Sequence, residues 1–472
     1  MSAVLNIPPH PTPELDPEFL PASLWTRSFE ALCREHGARP VKIAVLRPKG
    51  TGTIHEESLL PAGDPWDALN FRHLERILKA LIWLYGGHRF LIAGAPELCP
   101  KLQQLYSDSG ARAFDADFCR RFFGESPTIE AATDDELRGF DHPATDIDTT
   151  APASGCRIGF DLGGSDRKCA AVIDGEVVFS EEVVWDPYFQ KDPDYHLNGI
   201  RDSLKLAAAH LPRVDAIGGS AAGVYVDNKV RAASLFRGVP DDLFKDRVEN
   251  MFLDIAREWG DIPFRIANDG DVTALAGAMS LDDGSVLGLA MGTSTAAGYV
   301  DESRNLTDRI SELAFLPIDY REHAPVDEWS GDAGCNVQYF SQQAVARLIP
   351  ASGLPIDSNL GFPEQLEAVQ EFMKSGDDRA AAIYRTIGTY LGYAIPHFSR
   401  FYQIRHLLLL GRVMSGTGGD IIIEEARKLL RAEFPELAAS VRISTPDEKL
   451  KRHGQAIAAA SLPKIPQAPA IP

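Results

Sequence analysis

Two kinds of apolar run alternate along the chain. Short, nearly continuous apolar stretches bounded by glycine read as buried strands, and stretches with apolar residues three and four apart read as helices. The first part mixes both. A helix is expected over 24–36, a strand over 42–46, a helix over 74–84 (apolar at Leu74, Ile77, Leu78, Leu81 and Ile82) and a strand over 90–93. From Gly155 onward, strands are expected at 157–162, 170–173 and 177–184, joined by tight turns, then a helix over 195–210 and a strand at 215–217. Further helices are expected over 241–259, 336–348 and 379–403 (with Pro396 as a kink). Strands are expected over 263–267, 287–291 and 407–410, and a helix opening at Ile421. Helices over 424–430 and 454–460 close the series.

Proline and charge punctuate this pattern. Residues 1–22 are Pro-rich and aperiodic, an extended arm, and 463–472 are a Pro-rich, frayed end. Acidic and Thr-rich residues over 131–154 read as a linker. The division is therefore 1–150, an α/β region of unknown role with arm and linker, and 151–472, a region of two lobes. A chain of 472 residues has room for several domains and an ample core. The formal charge of −20 argues against nucleic acid and against anionic membranes as partners. The six scattered cysteines form no Cys-x-x-Cys pair, which fits free thiols in a reducing cytoplasm. No secretory signal is visible and no apolar run approaches the ~20 residues of a bilayer span.

Four segments carry candidate chemistry. Asp161-Leu162-Gly163-Gly164-Ser165 ends an apolar run and opens a hairpin. Glycines let backbone N–H groups approach a phosphate, Ser165 adds a hydroxyl donor, and Asp161 could hold a water on Mg²⁺. The same segment also reads as an ordinary hairpin turn. Asn268-Asp269-Gly270-Asp271 sits between an apolar run and a helical pattern, at a strand's carboxyl end, where open α/β sheets place ligands. Its plain alternative is a cap, by Asp269 or Asp271, on a helix starting at Val272. Gly292-Thr293-Ser294-Thr295 is a second glycine-hydroxyl turn between strands. Gly411 and Gly416 to Gly419 form a glycine-rich loop leading into a helix.

The order of these segments resembles the sugar-kinase, actin and heat-shock ATPase superfamily, and within it the ROK family (repressors, open reading frames, kinases). Two more segments support that resemblance. Ser311-Glu312-Leu313-Ala314-Phe315 is similar to a Gly-Glu-x-Gly-His sugar segment, and the stretch from Ser330 to Ser341 to a cysteine-rich zinc segment. The likeness spans roughly 155–462. It implies a two-lobed, ribonuclease-H-like (actin-like ATPase) α/β fold with an additional N-terminal α/β region. It also implies ATP- and Mg²⁺-dependent phosphoryl transfer to a hydroxyl of a hexose or amino sugar.

The resemblance assigns roles. Asp269 is the general base, and Asn268, Glu312 and Gly223 bind the sugar. Gly163, Gly164, Ser165, Gly292, Thr293 and Ser294 hold phosphates, Gly411 and Gly418 the adenosine, and Asp161 the Mg²⁺ through water. The chain departs from the pattern in several places. Asp271 stands for Asn, Ala222 for Pro, Phe315 for the His that binds sugar and zinc, and Ser330 and Asp332 for zinc cysteines, leaving Cys335. One cysteine cannot close a structural zinc site, so no zinc is expected. The segment after Ser294 is bulkier than the glycines expected there. A homodimer in the cytoplasm, with sugar and nucleotide as its small-molecule partners, completes the expectation. The alternative is a catalytically silent or sugar-sensing protein of the same fold.

Overall fold

The structure, a computed structural model, describes residues 5, 7, 9–48, 51–140, 145–147, 154–446 and 454–465. Expectations for the remaining parts of the arm, the linker and the C-terminal end lie outside these residues. The chain forms two compact units. The first comprises Met1–Ala144, Leu289–Ala297 and Asp308–Thr445; the second comprises Thr145–Gly288, Gly298–Thr307 and Pro446–Pro472.

In the first unit, β1 (Arg39–Leu46), β2 (Gly52–Leu59), β3 (Arg89–Ala93) and β4 (Thr128–Ala132) form a sheet of order β2-β1-β3-β4. β1 is antiparallel to both neighbours, and β3 and β4 are parallel. The helix Asp67–Leu84 links β2 to β3 and starts seven residues before the expected 74; its first turns bury Leu69, Asn70 and His73, and the Asn70 side chain pairs with the Leu60 backbone. A short strand, β5 (Thr145–Ile147), falls within the expected linker.

In the second unit, β6 (Cys156–Leu162), β7 (Asp166–Ile173) and β8 (Glu176–Val184) run antiparallel as a meander. β9 (Ala216–Ala221) adds in parallel to β6. A hairpin of β10 (Val224–Val226) and β11 (Lys229–Ala232) follows. β12 (Phe264–Asn268) then adds in parallel to β9, giving the order β12-β9-β6-β7-β8. β6 is buried along its whole length, as a central strand covered on both faces must be. Ile158, Phe160 and Leu162 turn one way into a core with Ile200, Leu204, Ile217 and Phe252. On the other face, Gly159 and Gly218 admit the helix Gln455–Ser461. A Cβ on either would stand 1.7 Å from a carbonyl oxygen of that helix, Ala456 or Ala459.

The remaining strands are β13 (Val286–Met291), β14 (Thr295–Val300), β15 (Leu306–Thr307), β16 (His406–Leu410) and β17 (Arg442–Ser444). With β5 they give a sheet of order β17-β16-β13-β14-β15-β5. Among the described residues, no helix is long and apolar enough to cross a membrane.

Besides Asp67–Leu84, and Asp378–Phe398 which ends short of the expected 403, three more helices differ from their expected extent. The one expected over 241–259 is broken into Asp241–Leu243, a wider turn at Phe244–Val248, and Met251–Glu258. The Glu249 carbonyl accepts from Val230 N–H at 3.0 Å, so it serves β11 instead of continuing the helix. The helix expected from 336 is a single tight turn, Asn336–Gln338, and restarts as Gln342–Ser352 under the Ser341 side-chain cap. The helix expected at Ile421 opens at Thr417.

Candidate active site

The second unit gathers its candidate residues at the carboxyl ends of three parallel strands. Asp161 near the end of β6 lies opposite Ser220 of β9, and Asn268 at the end of β12 lies opposite Ala221. Gly223 follows β9 directly. Alternation on β6 puts Asp161 on the face opposite Phe160 and Leu162, which point into the core. The Asp161 carboxyl is buried and accepts the Ser220 hydroxyl at 2.6 Å, while the Lys168 ammonium stands 3.8 Å away. Burial raises its pKa, and Ser220 and Lys168 oppose the rise only in part.

Asn268 caps the helix Asp269–Leu281, its Oδ1 accepting Gly270 N–H at 2.7 Å, while its amide donates to the Gly223 carbonyl at 2.7 Å. In the alternative reading Asp269 or Asp271 caps a helix from Val272; the helix instead starts three residues earlier and Asn268 caps it. One amide hydrogen and the remaining lone pairs of Asn268 stay available to a ligand. Asp269 therefore occupies the first helical position, where its carboxyl also accepts Gly270 N–H at 2.9 Å. Burial, and then the nearby Asp161 carboxylate, push Asp269 up to about 6. The helix N-terminus favours the ionised form, so the rise shows that desolvation and like charge win here. From the C-terminal helix, Gln455 donates to Thr273 Oγ1 at 2.6 Å, alongside the Asp269 carbonyl.

The first glycine turn is tightly built. Gly163 N–H donates to the Asp166 carbonyl at 2.9 Å, Trp185 Nε1 donates to the Gly163 carbonyl at 2.7 Å, and the Ser165 hydroxyl donates to Asp166 at 2.8 Å. Lys168 pairs with Asp166 at 3.0 Å. Gly164 carries an unexpected neighbour: a Cβ there would lie 2.0 Å from the Tyr188 hydroxyl. The Arg237 guanidinium stacks on Tyr188, 4.1 Å from its ring centroid. An aromatic hydroxyl thus stands against the glycine whose backbone would have to approach a phosphate.

In the first unit, the turn after β13 presents Thr293 and Ser294 to solvent. Gly292 is open, since a Cβ there would meet only the Ser294 carbonyl oxygen at 3.6 Å. Thr295 faces inward and donates to the Phe340 carbonyl at 2.9 Å, so its hydroxyl is spent on the fold. Gly411, at φ 93°, lies against this strand end: a Cβ there would stand 2.4 Å from the Met291 carbonyl oxygen. The two turns are thereby adjacent. Gly418 is elsewhere engaged. It sits inside the first turn of Thr417–Glu433, buried against the Tyr384 ring, whereas Gly411, Ser415, Gly416 and Thr417 are exposed.

Glu312 is half-buried in the first unit. Ser311 before it adopts φ 55°, a left-handed conformation that glycine enters more readily, at the place where the resemblance has glycine. The helix Asp67–Leu84 receives this segment: Ser311 and Glu312 N–H donate to the carbonyls of Leu84 and Trp83 at 3.0 and 2.9 Å. Phe315 stacks on Trp83 with centroids 4.0 Å apart. Cys335 approaches the carbonyls of Phe315 and Asp332 at 3.7 Å, and burial pushes its thiol up to about 12. Among the described residues no three ligand-type side chains converge as a metal site.

Sequence reasoning missed Ser220, Tyr188, Gln455 and the helix Asp67–Leu84 as parts of these sites. Ser220 carried a signal, as the lone hydroxyl in a Gly/Ala strand. Lys79 carried another, as a charge inside the apolar run Ile77-Leu78-Lys79-Ala80-Leu81-Ile82. Tyr188 and Gln455 carried none, because their partners lie far away in sequence.

No family model matches the chain, and no curated protein matches it. Solved structures do. The ROK hexokinase from Thermus thermophilus aligns at 18% identity over 65% of this chain and 97% of its own, with a TM-score of 0.51. A ROK family transcriptional regulator, a homologue of the E. coli MLC protein, aligns at 20% identity over 65% of this chain and 77% of its own, also with a TM-score of 0.51. The chain thus has the two-lobed α/β fold of the actin and hexokinase kind.

Proposed function

We propose that this chain is a ROK-type sugar kinase that transfers the γ-phosphoryl group of ATP to a hydroxyl of a hexose or amino sugar. The observation that carries the reading is Asp269: a carboxyl at the end of β12, beside Asp161, with its pKa raised to about 6. A base poised near neutral pH is what proton removal from an alcohol calls for.

The residues fit the groups this reaction needs. Asp161 would hold Mg²⁺ through water, its buried carboxyl offering the hard oxygen that this cation takes. Open Gly292 with exposed Thr293 and Ser294 leaves room for phosphate oxygens. Bound Mg-ATP supplies the phosphoryl donor and the charge neutralisation. Asn268, beside Asp269, orients the sugar hydroxyls, and the ROK resemblance gives Glu312 a sugar-binding role. Asp269 takes the proton of the attacking hydroxyl as its oxygen bonds to the γ-phosphorus. The bond from that phosphorus to the β-γ bridging oxygen breaks, and its electron pair leaves on ADP.

A second reading, sugar binding without turnover, is favoured by one observation, the Tyr188 hydroxyl against Gly164. One experiment separates them: ADP release with Mg-ATP across hexoses, amino sugars and N-acetylated sugars, with Asp269→Asn in parallel. Turnover on one sugar that drops by about 10²–10⁴-fold in the variant supports the kinase. Sugar binding by calorimetry without turnover on any sugar supports the second reading.

A further inference from the structure

The helix Asp67–Leu84 is largely buried and carries several charged side chains inside the first unit. Lys79 on it is fully buried and pairs with Asp115 at 3.2 Å and with Asp332 at 2.9 Å. Arg76 reaches Asp332 at 3.2 Å, and Arg112 reaches it at 2.6 Å. Glu75 binds both arginines, Arg76 at 2.6 Å and Arg112 at 2.7 Å. Trp83 donates its Nε1 to Asp115 at 2.6 Å. Burial would lower the Lys79 pKa, but Asp115 and Asp332 more than offset it, so the ammonium stays charged. Spacings of three and four put Arg76, Lys79 and Trp83 on one helix face.

Such a buried charge cluster is a poor device for stability alone. Apolar side chains of similar volume would do as well or better. What the cluster does is locate Asp332 against the helix, and through it the loop around Cys335 and Phe315. The same face then meets Glu312 directly: Phe315 stacks on Trp83, and the Ser311 and Glu312 amides bind the Leu84 and Trp83 carbonyls. A helix end leaves its last carbonyls without intrahelical partners, so these two amides meet a fixed pair of acceptors.

We propose that Arg76, Lys79 and Trp83 are positioning residues for Glu312, so that the N-terminal region is part of the sugar-recognition apparatus. The inference rests on the kinase reading for what Glu312 does, and on the geometry alone for what holds it.

The test uses the full-length protein with Lys79→Met, Asp332→Asn and, as the conservative control, Lys79→Arg. Hydrogen exchange at Ser311 and Glu312 is read against exchange in β6 as an internal reference. Expected is a rise of about tenfold at Ser311 and Glu312 in Lys79→Met and Asp332→Asn, with β6 unchanged and Lys79→Arg close to the wild type. In kinetics, the sugar KM is expected to rise about tenfold while the ATP KM stays within about twofold. Unchanged exchange at Ser311 and Glu312, or equal rises in both KM values, overturns the inference. Should Lys79→Met fail to fold, Asp332→Asn decides, since it removes one charge and keeps the shape. A wild-type protein with no turnover on any sugar overturns the kinase reading only, and the exchange result still decides the positioning.

Discussion

Asp269 makes a pH prediction with a definite sign. Its folded pKa of about 6 lies above the ordinary 3.8. As a base it must be ionised, so kcat/KM should fall as pH drops below about 6, one decade per pH unit for a single essential group. Stability should move the other way. Between the two pKa values the folded state binds the extra proton, so this group's penalty, full above about pH 6, is relieved as pH falls through that value. A pH–rate profile with thermal melts at each pH checks both signs; a rate that is flat from pH 7 to 5 would remove Asp269 as the base. Tyr188 makes the second prediction at this scale. Removing the ring in Tyr188→Ala clears the space against Gly164, so ATP should bind more tightly, by about tenfold, read by calorimetry with a non-hydrolysable analogue. Unchanged affinity would show that Gly164 does not contact the nucleotide. Asp161, Asn268 and Asp269 could be placed around the carboxyl ends of β6 and β12 from the sequence, because the end of a strand beside a turn or a helix start is a local feature. Tyr188 was not, since nothing near it in sequence announces Gly164 as its neighbour.

Elements were legible where the pattern was self-contained. The meander β6-β7-β8 and the helix Ala22–His36 follow from runs and turns that need no distant partner. Their ends moved where a tertiary hydrogen bond outbid the helix, as at Glu249. The packing of the helix Gln455–Ser461 onto β6 and β9 belongs to this scale. Its backbone rests where a side chain would be at Gly159 and Gly218. Gly159→Ala should lower stability by about 1–3 kcal/mol through overpacking, and more if the helix is displaced. Because Gln455 on that helix bonds Thr273 one turn from Asp269, the activity proposed for Asp269 should fall with it. Thermal melting and steady-state kinetics of the variant check this; a wild-type melting temperature would show that the helix does not sit there in solution.

At the scale of the whole molecule, the N-terminal residues are built into the first unit. Phe19 lies among Tyr339, Tyr390 and Tyr393, and Asp16 pairs with Arg321 and Arg347 at 2.7 and 3.0 Å. Deleting residues 1–150 would uncover these aromatic rings and leave Asp332 without its cations. The truncated chain should therefore be insoluble or melt well below the full chain, which expression and gel filtration will show. A soluble, fully active remainder would sink that expectation.

The sequence by itself determined the α/β class, the order of the strand-end motifs and the identity of the residues that end those strands. Each of these depends on local periodicity and on the few residue types that suit a turn or a cap. Only the tertiary structure decided that Lys79 of the N-terminal helix would meet Asp332 and that Tyr188 would cover Gly164. It also decided that the Thr295 hydroxyl would donate to the Phe340 carbonyl and that Gly418 would pack on the Tyr384 ring. The reason is physical: charge pairing and close packing act through space between residues well separated along the chain, and no local pattern records which of them will meet.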